Sequence, residues 1–154
     1  NIFMKKNVTL RLFLPFVFFA LVLNSCKKYD EGGFVRKTEK NLVKTWILEK
    51  YLRNSTDETA LLLITGYEET YSDNGNLFRT YIDADASTKT ETGTWKFDKD
   101  QKKLSISGLG SVEITDITGT VTSSYYNILK LDKDEFWYYY TNGSDKHEFH
   151  LVKK

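Results

Sequence analysis

Hydrophobic residues are distributed along this chain in two ways. Near the start they form one unbroken run, Leu12 to Leu23, with Lys5, Lys6 and Arg11 before it and Lys27-Lys28 behind it. From Thr45 onward they alternate with polar residues in short stretches separated by clusters of Gly, Asn and Asp. Period-two alternation predicts half-buried strands, and such clusters predict tight turns. Strands are expected over 45–54, 59–72, 77–83, 90–98, 102–107, 111–117, 121–131, 135–141 and 146–152. Asp73-Asn74-Gly75-Asn76 is the strongest turn signal, because Asn and Gly tolerate positive φ. In the first strand Trp46, Leu48 and Leu52 share a side, with Lys50 interrupting the pattern; in a later one Trp95 and Phe97 share a face. Ahead of the strands, Phe34, Leu42 and Val43, with Thr38 and Glu39 as a start, predict one short helix within 34–44.

Eight or nine evenly spaced strands joined mostly by tight turns make an antiparallel meander. Closure removes its exposed edges, so the expected fold is all-β, an antiparallel up-and-down barrel of about eight strands with a short N-terminal helix. A two-sheet sandwich is the competing architecture. Eight strands enclose an interior that side chains fill or that holds one small ligand. The barrel domain is expected over 34–154. Residues 26–33 form a flexible tether containing Gly32-Gly33.

The opening segment reads as a signal rather than a span. Its apolar run has 12 residues, whereas a membrane-spanning helix needs roughly 20. A basic start, an apolar run and a small residue before the cut describe a secretory signal over 1–25, with Met4 as the expected start. Leu23-Asn24-Ser25-Cys26 resembles the lipobox of bacterial lipoproteins, in which the signal is removed just before the cysteine and the thiol carries lipid; Asn24 is larger and more polar than the residue usual there. Cys26 is the only cysteine. An unpaired thiol, an intermolecular disulfide or a small buried hydrophobe are its other readings, and none explains its place after a small residue at the end of an apolar run. Lipidation of Cys26 implies a cell-envelope protein anchored in the outer membrane, on its periplasmic face or at the cell surface. Asp30-Glu31 resemble the acidic stretch near the lipidated cysteine that accompanies surface export in Bacteroidetes.

Three of the 22 basic residues lie in the signal, so 19 remain against 21 acidic ones, a net charge of −2. Nucleic-acid binders carry a basic excess or stripe, which argues against that partner class. With one cysteine, no disulfide staples the domain, and its own core must hold it.

Leu42-Val43-Lys44-Thr45-Trp46 resembles the Gly-Thr-Trp opening of the first strand in lipocalin-like proteins, with Lys44 in place of the glycine. Asp73-Asn74-Gly75 is similar to the hairpin after their second strand. Gly93-Thr94-Trp95 repeats the theme in mid-chain, and the stretch from Tyr126 to Glu135 resembles their late hairpin. Over Leu42 to Lys154 the chain resembles the small lipocalin-like lipoproteins of Bacteroidetes. The resemblance implies a barrel more than a ligand.

Little in the sequence points to catalysis. His147 and His150 are the only histidines, and three residues apart in a strand they face opposite ways, so they do not share a metal; both read as surface or rim residues. Glu68 and Glu69 also face apart, and Asp83 and Asp85 flank a turn. No nucleophile elbow, phosphate loop or dinucleotide fingerprint is present. No enzyme, cofactor or metal site is therefore expected. The sharpest feature is Phe136-Trp137-Tyr138-Tyr139-Tyr140. Alternation puts Phe136, Tyr138 and Tyr140 on one face and Trp137 and Tyr139 on the other, with Tyr126 across the hairpin. Core packing explains one such face. An aromatic pocket is the functional reading, and these six residues are the candidate ligand contacts. The sequence thus favours a lipid-anchored, non-enzymatic binding module for a small apolar or amphipathic molecule. The alternative is an interaction protein with a filled barrel, acting through loops and aromatic patches on protein or glycan.

Overall fold

Alternating residues and turn-forming clusters build nine strands: β1 (Thr45–Arg53), β2 (Thr56–Asp57), β3 (Thr65–Tyr71), β4 (Asn76–Ile82), β5 (Thr88–Phe97), β6 (Lys103–Ser107), β7 (Tyr125–Leu131), β8 (Glu135–Asn142) and β9 (Asp145–Lys153). The computed structural model describes residues 28–34, 38–109 and 125–154. Every barrel strand pairs antiparallel with its neighbour, and β9 pairs back onto β1 from Trp46↔Lys153 to Arg53↔His147. The result is an eight-stranded closed barrel of β1 and β3–β9, with β2 as a short spur folded back on β1. The expected strand at 111–117 and the start of the one at 121–131 lie outside the described residues.

The helix α1 (Thr38–Leu42) starts at the residue pair that predicted it. It lies at the lower end of the barrel, where β1 begins. Leu42 is fully buried, and the indole Nε1 of Trp46 donates to the Leu42 carbonyl at 2.9 Å, which ties helix to barrel. Trp95 Nε1 does the same for the β3–β4 turn, donating to Ser72 O at 3.1 Å. The upper end carries the β1–β3 connection, the β4–β5 turn and the β8–β9 turn.

Three expectations change. Strand β3 begins at Thr65, not at residue 59, because β2 and a 3-10 turn at Thr59–Leu61 occupy the preceding residues. In β1 the register shifts between Leu48 and Lys50, making Glu49 an extra residue. Such a bulge reverses the alternation beyond it, so Tyr51 rather than Leu52 points inward and is fully buried. Third, the stretch expected as a tether has its described part, from Lys28 on, laid against the barrel. Tyr29 is 3 % exposed, its hydroxyl donates to Gln101 O at 2.7 Å and lies 3.0 Å from the Thr38 hydroxyl, and burial pushes its pKa up to about 12. Gly32 pairs with Lys130 of β7. Gly33 has φ +95°, and a Cβ there would lie 1.9 Å from Leu131 O, so only glycine admits this approach.

The core is the barrel interior. In the lower half Trp46, Leu104, Leu131, Phe136 and Leu151 are fully buried. Tyr71 meets Phe136 and Trp95 edge-on at 5.7 and 5.9 Å. Gly93 sits where a Cβ would lie 2.5 Å from Ser107 O, so the Gly-Thr-Trp of β5 has its glycine where β6 comes closest.

Candidate functional site

The upper half of the interior is polar and aromatic. Its signal lies in β3, where Tyr67, Glu69 and Tyr71 share the inward face, a carboxylate between two rings. Glu69 has no exposed surface. It accepts hydrogen bonds from Tyr67 (2.6 Å) and Tyr138 (2.8 Å) on Oε1 and from Tyr71 (2.6 Å) on Oε2. Across the sheet Glu69 stands opposite Arg79, and Arg79 opposite Glu91. Arg79 Nε donates to Glu91 Oε2 at 2.6 Å. An acid–base–acid row therefore crosses β3, β4 and β5 on the inner face. Burial of such charges is tolerated only with partners of this kind.

Rings close around the row. Tyr126 lies flat on Tyr138, with centroids 4.2 Å apart and planes 5° from parallel. Tyr138 stacks on Phe149 at 5.1 Å, and Tyr140 on His147 at 5.1 Å. His147 Nδ1 and the Tyr51 hydroxyl are 2.7 Å apart. Burial, reinforced by nearby Glu69, pushes the hydroxyls of Tyr67, Tyr71, Tyr126 and Tyr138 well up, so all stay protonated donors in neutral solution. The Tyr140 hydroxyl differs from these: it is buried and has no hydrogen-bond partner among the described residues.

Comparison with solved structures bears on this barrel. A lipocalin-like protein from Bacteroides uniformis matches at a TM-score of 0.54 and 16% identity, over 74% of this chain and 99% of that one. The fold is lipocalin-like. Japanin from Rhipicephalus appendiculatus, in a structure bound to cholesterol, gives a TM-score of 0.47 at 11% identity over 72% of this chain and 74% of its own. Lobster apocrustacyanin A1 gives 0.44 at 13%, over 84% and 73%. No family model and no curated protein matches the sequence.

In this lipocalin-like barrel the six aromatic candidates divide. Tyr126, Phe136, Tyr138 and Tyr140 point inward and are 0–4 % exposed. Trp137 and Tyr139 lie on the outer face, away from any interior ligand. Trp137 stacks on His150 at 4.0 Å with Lys130 Nζ above its ring at 4.5 Å, and Lys146 Nζ covers Tyr139 at 4.5 Å. Cys26 lies outside the described residues. Glu69, Arg79, Glu91, Tyr67, Tyr71 and Tyr51 are the interior residues that sequence reasoning did not select. His147 also corrects an expectation. It is 1 % exposed rather than at the rim, because the β1 bulge brings Tyr51 inward to meet it, while His150 stays outside as the spacing requires.

The buried His147 makes stability depend on pH. Burial lowers its pKa from the ordinary 6.5. The unfolded chain then takes up a proton near pH 6.5 that the folded one refuses, so stability is full above that pH and declines below it. Thermal unfolding followed from pH 8 to pH 5 should show Tm constant at first and falling below about 6.5. His147→Gln, which keeps a partner for Tyr51, should flatten that decline.

Proposed function

We propose that this chain is a lipid-anchored, non-enzymatic binding protein of the bacterial envelope that takes a small amphipathic molecule in the upper half of its barrel. The observation that carries this reading is the Tyr140 hydroxyl, buried and unpartnered inside a closed barrel whose lower end is sealed by α1. A buried polar group without a partner costs about 1–3 kcal/mol, so the site favours an occupant that hydrogen-bonds it. A wholly apolar molecule would leave that cost standing. Catalysis is disfavoured by the state of the carboxylates: Glu69 is engaged by three hydroxyls and Glu91 by Arg79, and neither faces the other across an open cleft. Native mass spectrometry of protein purified from its own host tests the reading. A co-purifying mass of a few hundred daltons, released on collisional activation, is the expected result.

One observation favours the alternative of a filled barrel acting through its surface. The inward rings are packed on one another, while Leu61 and Leu63 in the β1–β3 connection and Ile82 at the end of β4 are exposed at the upper end. Such a rim is a docking feature when the interior takes no ligand.

The anchor in this proposal is Cys26, freed by removal of residues 1–25. The described part of the expected tether, residues 28–34, lies against the barrel. Two or more acyl chains hold a protein stably in a membrane, at about 0.8 kcal/mol per buried CH₂. Cys26→Ser should move the protein from the membrane pellet to the soluble fraction. An unchanged pellet would remove the anchor from the account, and protease shaving of intact cells would separate surface from periplasmic display.

A further inference from the structure

We infer that the lower end of the barrel rests on the membrane surface, with Lys28 and Phe34 at the contact and the upper rim turned away from the lipid. The inference rests on the anchor reading above, lipid on Cys26, and adds to it the contact surface and the orientation that such an anchor imposes.

The segment before α1 is tied into the sheet. Residues 28–34 form a small hairpin, in which Lys28 pairs antiparallel with Phe34 and Tyr29 N donates to Gly33 O at 3.3 Å. The hairpin takes up the edge of β7 where β6 ends. Ile128 N still donates to Lys102 O, just before β6, while Glu31 N donates to Leu129 O at 2.8 Å and Leu131 N to Gly32 O at 3.2 Å. Without the hairpin those groups of β7 would lose their partners. Gly33 lies too close to Leu131 O for any side chain, and Tyr29 is buried with its hydroxyl on Gln101 O. Cys26 stands two residues before Lys28 in the chain, and two residues reach at most about 7 Å. Lipid on that thiol therefore enters the bilayer close to Lys28.

The hairpin's direction says which end of the barrel this is. Strand β7 runs from the upper end to the lower, and Gly32 pairs parallel with its Lys130. Lys28 and Phe34 are thus at the bottom of the hairpin, below Leu131, and Asp30-Glu31 are at its tip, higher on the barrel wall. Phe34 is 49 % exposed, with Lys28 Nζ 5.1 Å above its ring. An exposed ring beneath a lysine suits a lipid interface, the ring at the acyl boundary and the ammonium among the phosphates. The lower end also presents Lys40, Lys99, Lys102 and Lys133, interleaved with acids. The β4–β5 and β8–β9 turns at the upper end carry Asp83, Asp85 and Asp145 and no lysine. An anionic lipid surface therefore repels the upper end and finds lysines at the lower one. Leu61, Leu63 and Ile82 are the rival membrane contact, but they stand at the opposite end of the barrel from Lys28.

The test uses the lipidated protein, purified from the membranes of its own host and reconstituted in vesicles of phosphatidylethanolamine and phosphatidylglycerol. Lipid blocks Cys26, so a single introduced thiol takes a spin label: Lys99→Cys or Lys133→Cys at the lower end, Leu61→Cys or Ser144→Cys at the upper. Collision of each label with lipid-soluble oxygen and with a water-soluble nickel chelate reports how close it lies to the bilayer. Nickel access should be several-fold lower at residues 99 and 133 than at residues 61 and 144. Gly33→Ala, which forces the hairpin off Leu131, should erase that difference while leaving the protein on the vesicles. Equal access at both ends of the otherwise unaltered barrel, or lower access at residues 61 and 144, would overturn the orientation and leave the anchor standing. Protein that carries no lipid and does not sediment with vesicles would overturn both. A difference that persists in a folded Gly33→Ala protein would overturn the hairpin as its cause. If that variant does not fold, the labels on the otherwise unaltered barrel decide the orientation by themselves.

Discussion

Trp46→Ala is expected to unfold the domain or leave it barely folded at room temperature. Three kinds of interaction end at this residue. Its ring is fully buried and packs on Phe136 at 5.7 Å. Its Nε1 holds the Leu42 carbonyl and with it α1, the seal of the lower end. Lys44, which stands where the resemblance expects glycine, covers the ring face with Nζ at 5.0 Å from its centroid and anchors that amine to Lys133 O. Cutting a buried Trp to Ala costs about 3–5 kcal/mol through lost burial and the cavity left behind. A single domain has about 5–15 kcal/mol in total. The freed Leu42 carbonyl adds to the loss. Urea denaturation should show the midpoint displaced toward zero. A shift worth less than about 1 kcal/mol would mean that the lower end does not depend on this indole.

Glu69→Ala should come second in magnitude, and by a different mechanism. Removing the carboxylate strands the hydroxyls of Tyr67, Tyr71 and Tyr138, all of them buried. Each stranded donor costs about 1–3 kcal/mol, so about 3 kcal/mol or more is expected in sum. Glu69→Gln keeps one acceptor oxygen for Tyr67 and Tyr138 and offends only Tyr71, so about 1 kcal/mol is expected there. The contrast between the two variants in one denaturation series is the informative quantity. Equal losses would mean that the effect comes from what both variants remove, the second carboxylate oxygen and its charge, and not from the number of stranded donors, and a stabilised Ala variant would mean that the interior relaxes around the gap.

The parts of this fold that were legible in the sequence are those governed by local rules. Alternation in Phe136-Trp137-Tyr138-Tyr139-Tyr140 separates the inward set from the outward one, and the structure has the same two sets. The Asp73–Asn76 turn, the helix start at Thr38 and the burial of Trp46 and Trp95 follow from turn chemistry, capping preference and apolar spacing. What was not legible depends on pairings between distant strands. The bulge at Glu49 is a property of β1 against β9, and without it Leu52 rather than Tyr51 would be the inward residue. Arg79 lies between Glu69 and Glu91 only because β3, β4 and β5 align there; no local pattern places three charges side by side in a core. The docking of Tyr29 needs a groove beside β7 that exists only in the closed barrel. Glu69 itself left a trace, since a glutamate at two-residue spacing from Tyr67 and Tyr71 shares their face.

The proposed function requires a ligand in the polar upper half of the interior rather than on the outer surface. Intermolecular nuclear Overhauser contacts between n-octanol, as an amphipathic probe, and isotope-labelled protein decide between the two. Contacts from the probe to the Tyr126, Tyr138 and Tyr140 rings and to Phe149, with none to Trp137 or Tyr139, are the expected result. Contacts confined to Trp137, Tyr139 or the rim at Leu61, Leu63 and Ile82 would contradict it and leave the filled barrel with a docking surface as the description of this protein.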